Sequence, residues 1–253
     1  MTIEPDKVSF FNLSQIVTDD KSHKLKISLP ININFPKTKD EDEQNVGWQE
    51  MLNCHLIGNS EGVNAANSED IPLKAAAKKL GKGFLNKLKQ TAKRLNCDYN
   101  DLLAVINSEC SLNPYKSNGI GAVGLIQFTK PTIDQYNKTY KPNPKLTKER
   151  ITKMSAIEQL TLVENALKMN MKIAGIPEGS HLSAGTLYAL IFLPGRAGNN
   201  VLCKEGEVNP KTGKLLKYYE QNQGLDVNND GKITKSDLAE RLKNKRVDVS
   251  YFV

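Results

Sequence analysis

Residues 106–132 read INSECSLNPYKSNGIGAVGLIQFTKPT. Glu109 closes an apolar stretch that ends in Leu102, Leu103, Val105 and Ile106, and it meets a Ser-Leu-Asn-Pro turn and a glycine-rich loop. A carboxylic acid held partly out of water keeps its proton at a higher pH than one in solution, because burial penalises the charged form. A poor leaving group such as a glycosidic oxygen needs such a proton donor near neutrality. Glycines after the acid let backbone approach a bulky chain of rings. The amide of Gln127 offers both a donor and an acceptor to polar groups on such a chain. The same loop contains Gly119-Ile-Gly121-Ala-Val-Gly124, which fits GxGxxG. A dinucleotide fingerprint requires a strand before the glycines and a helix after them. The residues preceding this run have helical spacing and then turn at Asn113-Pro114, so the dinucleotide reading is rejected.

A second chemical pattern lies near the C-terminus, where residues 226–237 read DVNNDGKITKSD. Asp226, Asn228 and Asp230 stand at positions 1, 3 and 5, Gly231 at position 6, Lys232 at position 7 with its carbonyl, and Asp237 at position 12. Oxygens at that spacing surround a hard cation, and glycine permits the sharp turn between them. The pattern resembles an EF-hand loop and implies Ca2+ as a structural cofactor bound by Asp226, Asn228, Asp230, Lys232 and Asp237. Leu215, Leu216 and Tyr219 suit an entering helix, and Leu238 and Leu242 an exiting one. Asp237 is shorter than the Glu usual at position 12. The competing reading is a capped turn before the last helix, with Thr234 or Ser236 as cap.

The elements that must hold these residues are mostly helical. Phe84, Leu85, Leu88, Ala92 and Leu95 share one face at helical spacing. Ser155 and Glu158 have the spacing of a capping box, followed by the stripe Ile157, Leu160, Val163, Leu167 and Met171, with Gly175 and Pro177 as a stop. A further helix is expected over Ser183 to Phe192, ended by Pro194 and Gly195. Only residues 24–35 alternate as a strand does, through Leu25, Ile27, Leu29, Ile31, Ile33 and Phe35, with Pro30 on the other face. The expected organisation is a strand-containing segment at 1–35, a polar linker at 36–70, and a mainly α domain at 71–253 that includes the loop at 226–237.

The Glu109 segment resembles the lytic transglycosylase and goose-type lysozyme family. That family's pattern is a catalytic Glu, a Ser, then Asn-Pro, then Gly-Ala-x-Gly-Leu-Met-Gln. It is met here by Glu109, Asn113-Pro114, Gly121-Ala122-Val123-Gly124-Leu125 and Gln127 at the same spacing. Ile126 stands for the Met and Cys110 for the Ser, with Ser111 next to it as a possible substitute. Farther on, Leu187-Tyr188-Ala189-Leu190 replaces the family's Ala-Tyr-Asn motif and is similar to tail-associated lysins of bacteriophages. The resemblance spans about residues 84–200. It implies a lysozyme-like helical domain, a peptidoglycan substrate, Glu109 as the catalytic acid, and Ser111, Asn113, Gly124, Gln127 and Tyr188 as substrate-binding residues. Asp134 is the candidate second carboxylate for a two-acid scheme. The alternative is an inactive, calcium-stabilised wall-binding or tail protein on the same fold.

Composition narrows the partners. The 253 residues carry a net charge of +7, which draws a protein toward polyanions. Lys74, Lys78, Lys79, Lys82, Lys87, Lys89, Lys93 and Arg94 crowd one stretch that lacks acids, but no aromatics interleave with them, so a nucleic-acid platform is disfavoured. Cys54, Cys97, Cys110 and Cys203 show no metal or CxxC spacing and read as reduced thiols. The first residues lack the charged and apolar regions of a signal peptide, and no run is long enough to span a membrane. These features lead to an enzyme made in the cytoplasm and carried to the wall as part of a virion or secreted particle. Residues 1–70 would then tether it to a tail or injection-machine protein.

Overall fold

The computed structural model describes residues 70–118 and 121–253. The expected strand at 24–35, the linker up to residue 69 and Cys54 lie outside them. The chain divides into a unit spanning Met1–Thr38 and a second spanning Lys39–Val253.

Helix α1 spans Asp70–Leu95, interrupted at Gly81, whose backbone is non-helical (φ 71°, ψ 176°). Its apolar face, Ala77, Phe84, Leu85, Leu88, Ala92 and Leu95, is buried, as the spacing predicts. The lysines of this helix are exposed except for Lys87, which is half-buried. Helix α2 (Tyr99–Cys110) starts where Asp98 accepts a hydrogen bond from the Asn100 N–H at 2.6 Å, and every residue from Leu102 to Ile106 is buried. Two helices that the apolar pattern does not announce follow it: α3 (Lys130–Tyr140) and the single turn α4 (Lys148–Ile151). They begin at Thr129 and Thr147, each accepting from a backbone N–H of the first turn, which is the job short hydroxyl side chains do at helix starts.

Helix α5 (Ala156–Ile173) begins with the expected capping box: Ser155 accepts from Glu158 N, and the Glu158 carboxylate accepts from Ser155 N at 2.7 Å. Its buried face includes Leu160, Val163, Leu167 and Met171, but Ile157 is 43% exposed. The stripe begins one turn later than its spacing suggests, with Ala156 and Gln159 facing inward instead. Glu164, on the same buried side, reaches Arg94 of α1 through three hydrogen bonds of 2.7–3.0 Å and Lys168 at 3.1 Å. Burial works to raise its pKa, and these two cations outweigh it and hold the carboxyl below its ordinary range.

Helix α6 (Ala184–Phe192) lies in the centre, with all residues from Leu187 to Phe192 buried, and ends at Leu193 and Pro194 as expected. The last helix, α7 (Lys235–Lys243), packs on α6 and α2. The closest point of that packing is Gly185, where a Cβ would come within 2.0 Å of the Lys235 carbonyl oxygen, so only glycine admits the approach. A final 3-10 turn, Val249–Phe252, returns to α1 and stacks Phe252 on Phe84 at 6.0 Å between ring centroids.

The architecture is mainly α, as expected. The β structure among the described residues is one small antiparallel sheet in which β1 (Val201–Lys204) pairs with β2 (Lys232–Thr234), together with isolated bridges. The helix expected to enter the C-terminal loop is absent. Leu215 is exposed and bridges to Val208, and the segment before the loop ends in a 3-10 turn, Gln223–Leu225. Tyr218 and Tyr219 are consecutive and both buried, whereas an amphipathic surface helix buries residues three and four apart. No helix among the described residues is long and apolar enough to cross a membrane.

Candidate active site

Glu109 occupies the last turn of α2 and is 5% exposed. The helix stops directly after it because Ser111 and Leu112 both take left-handed backbone angles (φ 52° and 58°), while Ser111 N still donates to Asn107 O at 2.9 Å. The chain then turns tightly. Asn113 N donates to Cys110 O at 3.0 Å, and the Asn113 side chain accepts from Tyr115 N at 3.0 Å. Lys116 folds back over the acid's own backbone, with Nζ donating to Glu109 O at 3.3 Å.

The glycine loop is a short hairpin laid against this turn. Val123 and Phe128 exchange backbone hydrogen bonds of 3.1 and 2.7 Å, and Gly124 N donates to Lys116 O at 3.1 Å. Gly124 has a φ of 82°, and a Cβ there would meet Gln159 Oε1 at 2.7 Å and Ile151 Cγ2 at 2.9 Å. The position therefore demands glycine both for its backbone angle and for its lack of space. Gln127, also left-handed and almost wholly buried, donates from Nε2 to Gly124 O at 2.9 Å and to Lys116 O at 3.3 Å. Gly119 and Ile120 lie outside the described residues, and among the described residues the loop is preceded by α2 and by no strand.

Gln159, at the start of α5, secures the hairpin from behind. It is fully buried. Its Oε1 accepts from Leu125 N at 2.9 Å, and its Nε2 lies 2.8, 3.1 and 3.2 Å from the carbonyls of Pro114, Ile151 and Met154. One side chain thus satisfies backbone from three separate loops.

Tyr188 comes from the middle of α6 and is wholly buried. Its hydroxyl lies 3.3 Å from Ser108 Oγ, on the residue before Glu109. Burial, followed by the negative charge of Glu109, pushes the phenol well above its ordinary range, and the Arg241 charge and the Ser108 hydrogen bond oppose this only in part. Ser108 thus links Tyr188 of α6 to the last turn of α2. Of the residues expected at the site, Glu109, Ser111, Asn113, Gly124 and Gln127 are gathered in one turn-and-hairpin unit. Ser111 and Asn113 are exposed, while Gly124 and Gln127 hold the loop's own backbone.

Cys110 faces inward and donates to Ile106 O at 3.2 Å, and burial followed by the Glu109 charge pushes its thiol up to about 12. A thiol in that state is no nucleophile at neutral pH. Cys97 and Cys203, also unbridged, are pushed up to about 12 for the same first reason. Asp134 is exposed on α3 and paired with Lys130 at 2.5 Å.

The C-terminal loop has its own geometry. Asp226 is buried, and its carboxylate accepts from Gly231 N at 2.9 Å, Asp230 N at 3.2 Å and the Tyr219 hydroxyl at 2.8 Å. Burial raises its pKa, and these hydrogen bonds more than cancel it and bring it below the ordinary value. Asn228 Oδ1 accepts from Asp230 N at 3.1 Å, and Asp230 Oδ1 from Lys232 N at 3.0 Å. Asn229 and Gly231 supply the two left-handed turns. Asp237 acts as the cap partner of Thr234, accepting from its N–H at 2.8 Å and its hydroxyl at 2.5 Å. Among the described residues no three His, Cys, Asp or Glu side chains converge as a metal-binding group. The oxygens of Asp226, Asn228 and Asp230 have the right chemistry for a hard cation, and Asp237 is oriented to its helix.

Residues 86–161 match the family model of the transglycosylase SLT domain. No curated protein and no solved structure matches the chain. The matched stretch runs from the second half of α1 into α5 and contains Glu109, Gln127 and Gln159. It supports the lytic transglycosylase family, whose substrate is peptidoglycan. Tyr188, Arg241 and the loop at 226–237 lie beyond it.

Proposed function

We propose that the chain cleaves the MurNAc–GlcNAc bond of peptidoglycan, with Glu109 as general acid and then general base. The observation that carries this reading is a nearly buried carboxyl group at the end of α2, inside the stretch matched to the transglycosylase domain, with the Gly124–Gln127 hairpin laid against the turn that follows it. In the first step Glu109 gives its proton to the glycosidic oxygen as the C–O bond breaks, so that the leaving sugar departs as an alcohol and the ring carries oxocarbenium character. In the second step the Glu109 carboxylate takes a proton from the nucleophile. A lyase uses the sugar's own 6-hydroxyl and leaves a 1,6-anhydro end, whereas a hydrolase uses water. The pairing of Asp134 with Lys130 on an exposed face supports the scheme with one carboxylate, and hence the lyase.

The test uses purified peptidoglycan with mass spectrometry of the soluble products. The wild-type chain is expected to release muropeptides with anhydro ends. Glu109→Gln keeps the shape but cannot donate the proton, and is expected to lose at least ~10²-fold in rate with an unchanged melting temperature. Retention of more than about a tenth of the activity would remove Glu109 from this role.

Two further readings accompany the first. The loop at 226–237 is proposed to bind Ca2+ through Asp226, Asn228, Asp230, the Lys232 carbonyl and Asp237. Its support is the oxygen donor set and the two left-handed turns. The bound ion would supply a charge that fastens the loop to the start of α7. The residues up to 70 are proposed to tether the enzyme to a phage tail or a contractile injection machine, on the strength of the lysin-like Tyr188 segment and the alternating apolar residues at 25–35.

A further inference from the structure

Helix α1 carries a row of cations that neither the core nor the site uses. No Asp or Glu occurs between Ile71 and Cys97, and Lys74, Lys78, Lys79, Lys82, Lys89 and Lys93 are all exposed. On three other helices a lysine has an acid one turn away: Lys130 with Asp134 at 2.5 Å on α3, Lys168 with Glu164 at 3.1 Å on α5, and Lys243 with Glu240 at 2.5 Å on α7. The six lysines of α1 make no ion pair with any described residue. Lys74 and Lys78, and again Lys89 and Lys93, stand four residues apart, where like charges on a helix repel. Two of the six lie over rings, Lys74 on Tyr251 at 5.6 Å and Lys89 on Tyr99 at 4.8 Å. A polyanion laid along this face would relieve the repulsion that the chain itself leaves in place.

The surroundings select the kind of polyanion. A helix that binds a membrane surface sinks its apolar side into lipid, whereas the apolar side of α1, from Phe84 to Leu95, is buried in the protein core. A nucleic-acid groove alternates cations with aromatic platforms and uses Arg. No aromatic interleaves with these exposed lysines, and Arg94, the one Arg of the run, is bound to Glu164 by three hydrogen bonds of 2.7–3.0 Å. Lysine ammoniums are compact, hydrated point charges on flexible stems, suited to an irregular matrix of anions. The second half of α1 lies inside the stretch matched to the transglycosylase domain, and α1 packs on α2, which carries Glu109. Peptidoglycan is such a matrix: its glycan strands carry peptide stems with free carboxylates.

We propose that the exposed lysines of α1 form a wall-binding face that holds the carboxylates of the peptidoglycan stems, apart from the acid that cuts the strand. The face gives the enzyme a salt-sensitive grip on its insoluble substrate. This inference rests on the reading of peptidoglycan as substrate.

The experiment uses the full chain carrying Glu109→Gln, so that the wall stays intact while binding is measured by sedimentation. The probes are purified peptidoglycan and the same material with its carboxylates amidated. Binding to the untreated wall is expected to weaken steadily with added salt and to be lost on the amidated wall. Combining Lys78→Gln, Lys79→Gln, Lys82→Gln and Lys93→Gln is expected to weaken binding at least ~10-fold at low salt, with an unchanged melting temperature. The pairs Lys78→Gln with Lys79→Gln and Lys82→Gln with Lys93→Gln serve should the fourfold variant fail to fold. Replacing the same four lysines by Arg keeps the charge and is expected to keep the binding. Undiminished binding by the Gln variants, or to the amidated wall, overturns the proposal. So does a lysine-dependent affinity for phosphatidylglycerol vesicles or duplex DNA that exceeds the affinity for the wall at the same salt. If the chain without Glu109→Gln releases no muropeptides while this binding stands, the glycosidase reading falls and the wall-binding face remains.

Discussion

Gln159 illustrates how much of this site depends on one amide. Its two polar atoms meet Leu125 N and the carbonyls of Pro114, Ile151 and Met154 in a place without access to water. A buried backbone group left without its partner costs ~1–3 kcal/mol. Gln159→Leu keeps the volume and removes every one of these bonds. We expect a loss of about 3 kcal/mol, seen as a fall of about 10 °C in melting temperature, together with a drop in muropeptide release larger than the stability loss explains. A variant that melts within about 2 °C of wild type would mean the hairpin is held by its own turns instead. Glu109 is the opposite kind of residue: its replacement by Gln costs activity and leaves the fold, whereas Gln159 supports both.

At the scale of elements, α7 is the joint between the two chemical patterns. It starts at the cap formed by Thr234 and Asp237 and carries Arg241 one turn later. A cation that binds the folded loop and not the unfolded chain stabilises the fold by mass action, by ~2.7 kcal/mol at a hundredfold excess over Kd. Titrating the metal-free chain with calcium should therefore release or absorb heat and raise the melting temperature by several degrees. Asp230→Ala should abolish both effects. Absence of heat and of any shift at millimolar calcium would leave the loop as a hydrogen-bonded turn capped by Thr234. The helix that does not form on the other side of this loop is informative too. The loop pairs its β2 with β1, a strand from the preceding segment.

At the scale of the whole molecule, the described core runs from Ala77 of α1 to Phe252 at the C-terminus, where the aromatic stack of Phe84 and Phe252 joins α1 to the final turn. A chain beginning at Pro72 retains every residue of that core. We expect it to stay soluble, to melt within a few degrees of the full chain and to keep its wall-cleaving activity, while losing co-purification with particle proteins. Loss of folding on this truncation would defeat the tether and make the N-terminal residues part of the enzyme's own core.

What the sequence by itself determined is what short-range physics controls. The buried faces of α1 and α2, the Ser155–Glu158 box, the end of α6 at Pro194 and the left-handed Gly231 follow from residues within a turn or two of one another, where side-chain spacing and backbone preference act directly. The turn after Glu109 and the glycine-rich loop are legible for the same reason, and the pairing of Val123 with Phe128 that makes the loop a hairpin is not. The tertiary structure decided everything that joins distant residues. Ile157 is turned outward because Gln159, two residues on, must reach three loops. The entering helix gives way to turns because Tyr218 and Tyr219 are both buried. Arg241 carries no signal in its own neighbourhood, where it reads as one more basic residue on a surface helix. Its hydrogen-bond partner, the Gly224 carbonyl, lies 17 residues away along the chain and meets it only in the folded unit. A side chain on α7 meets residues this distant only after the packing of α7 on α6 and α2 has built the place for it.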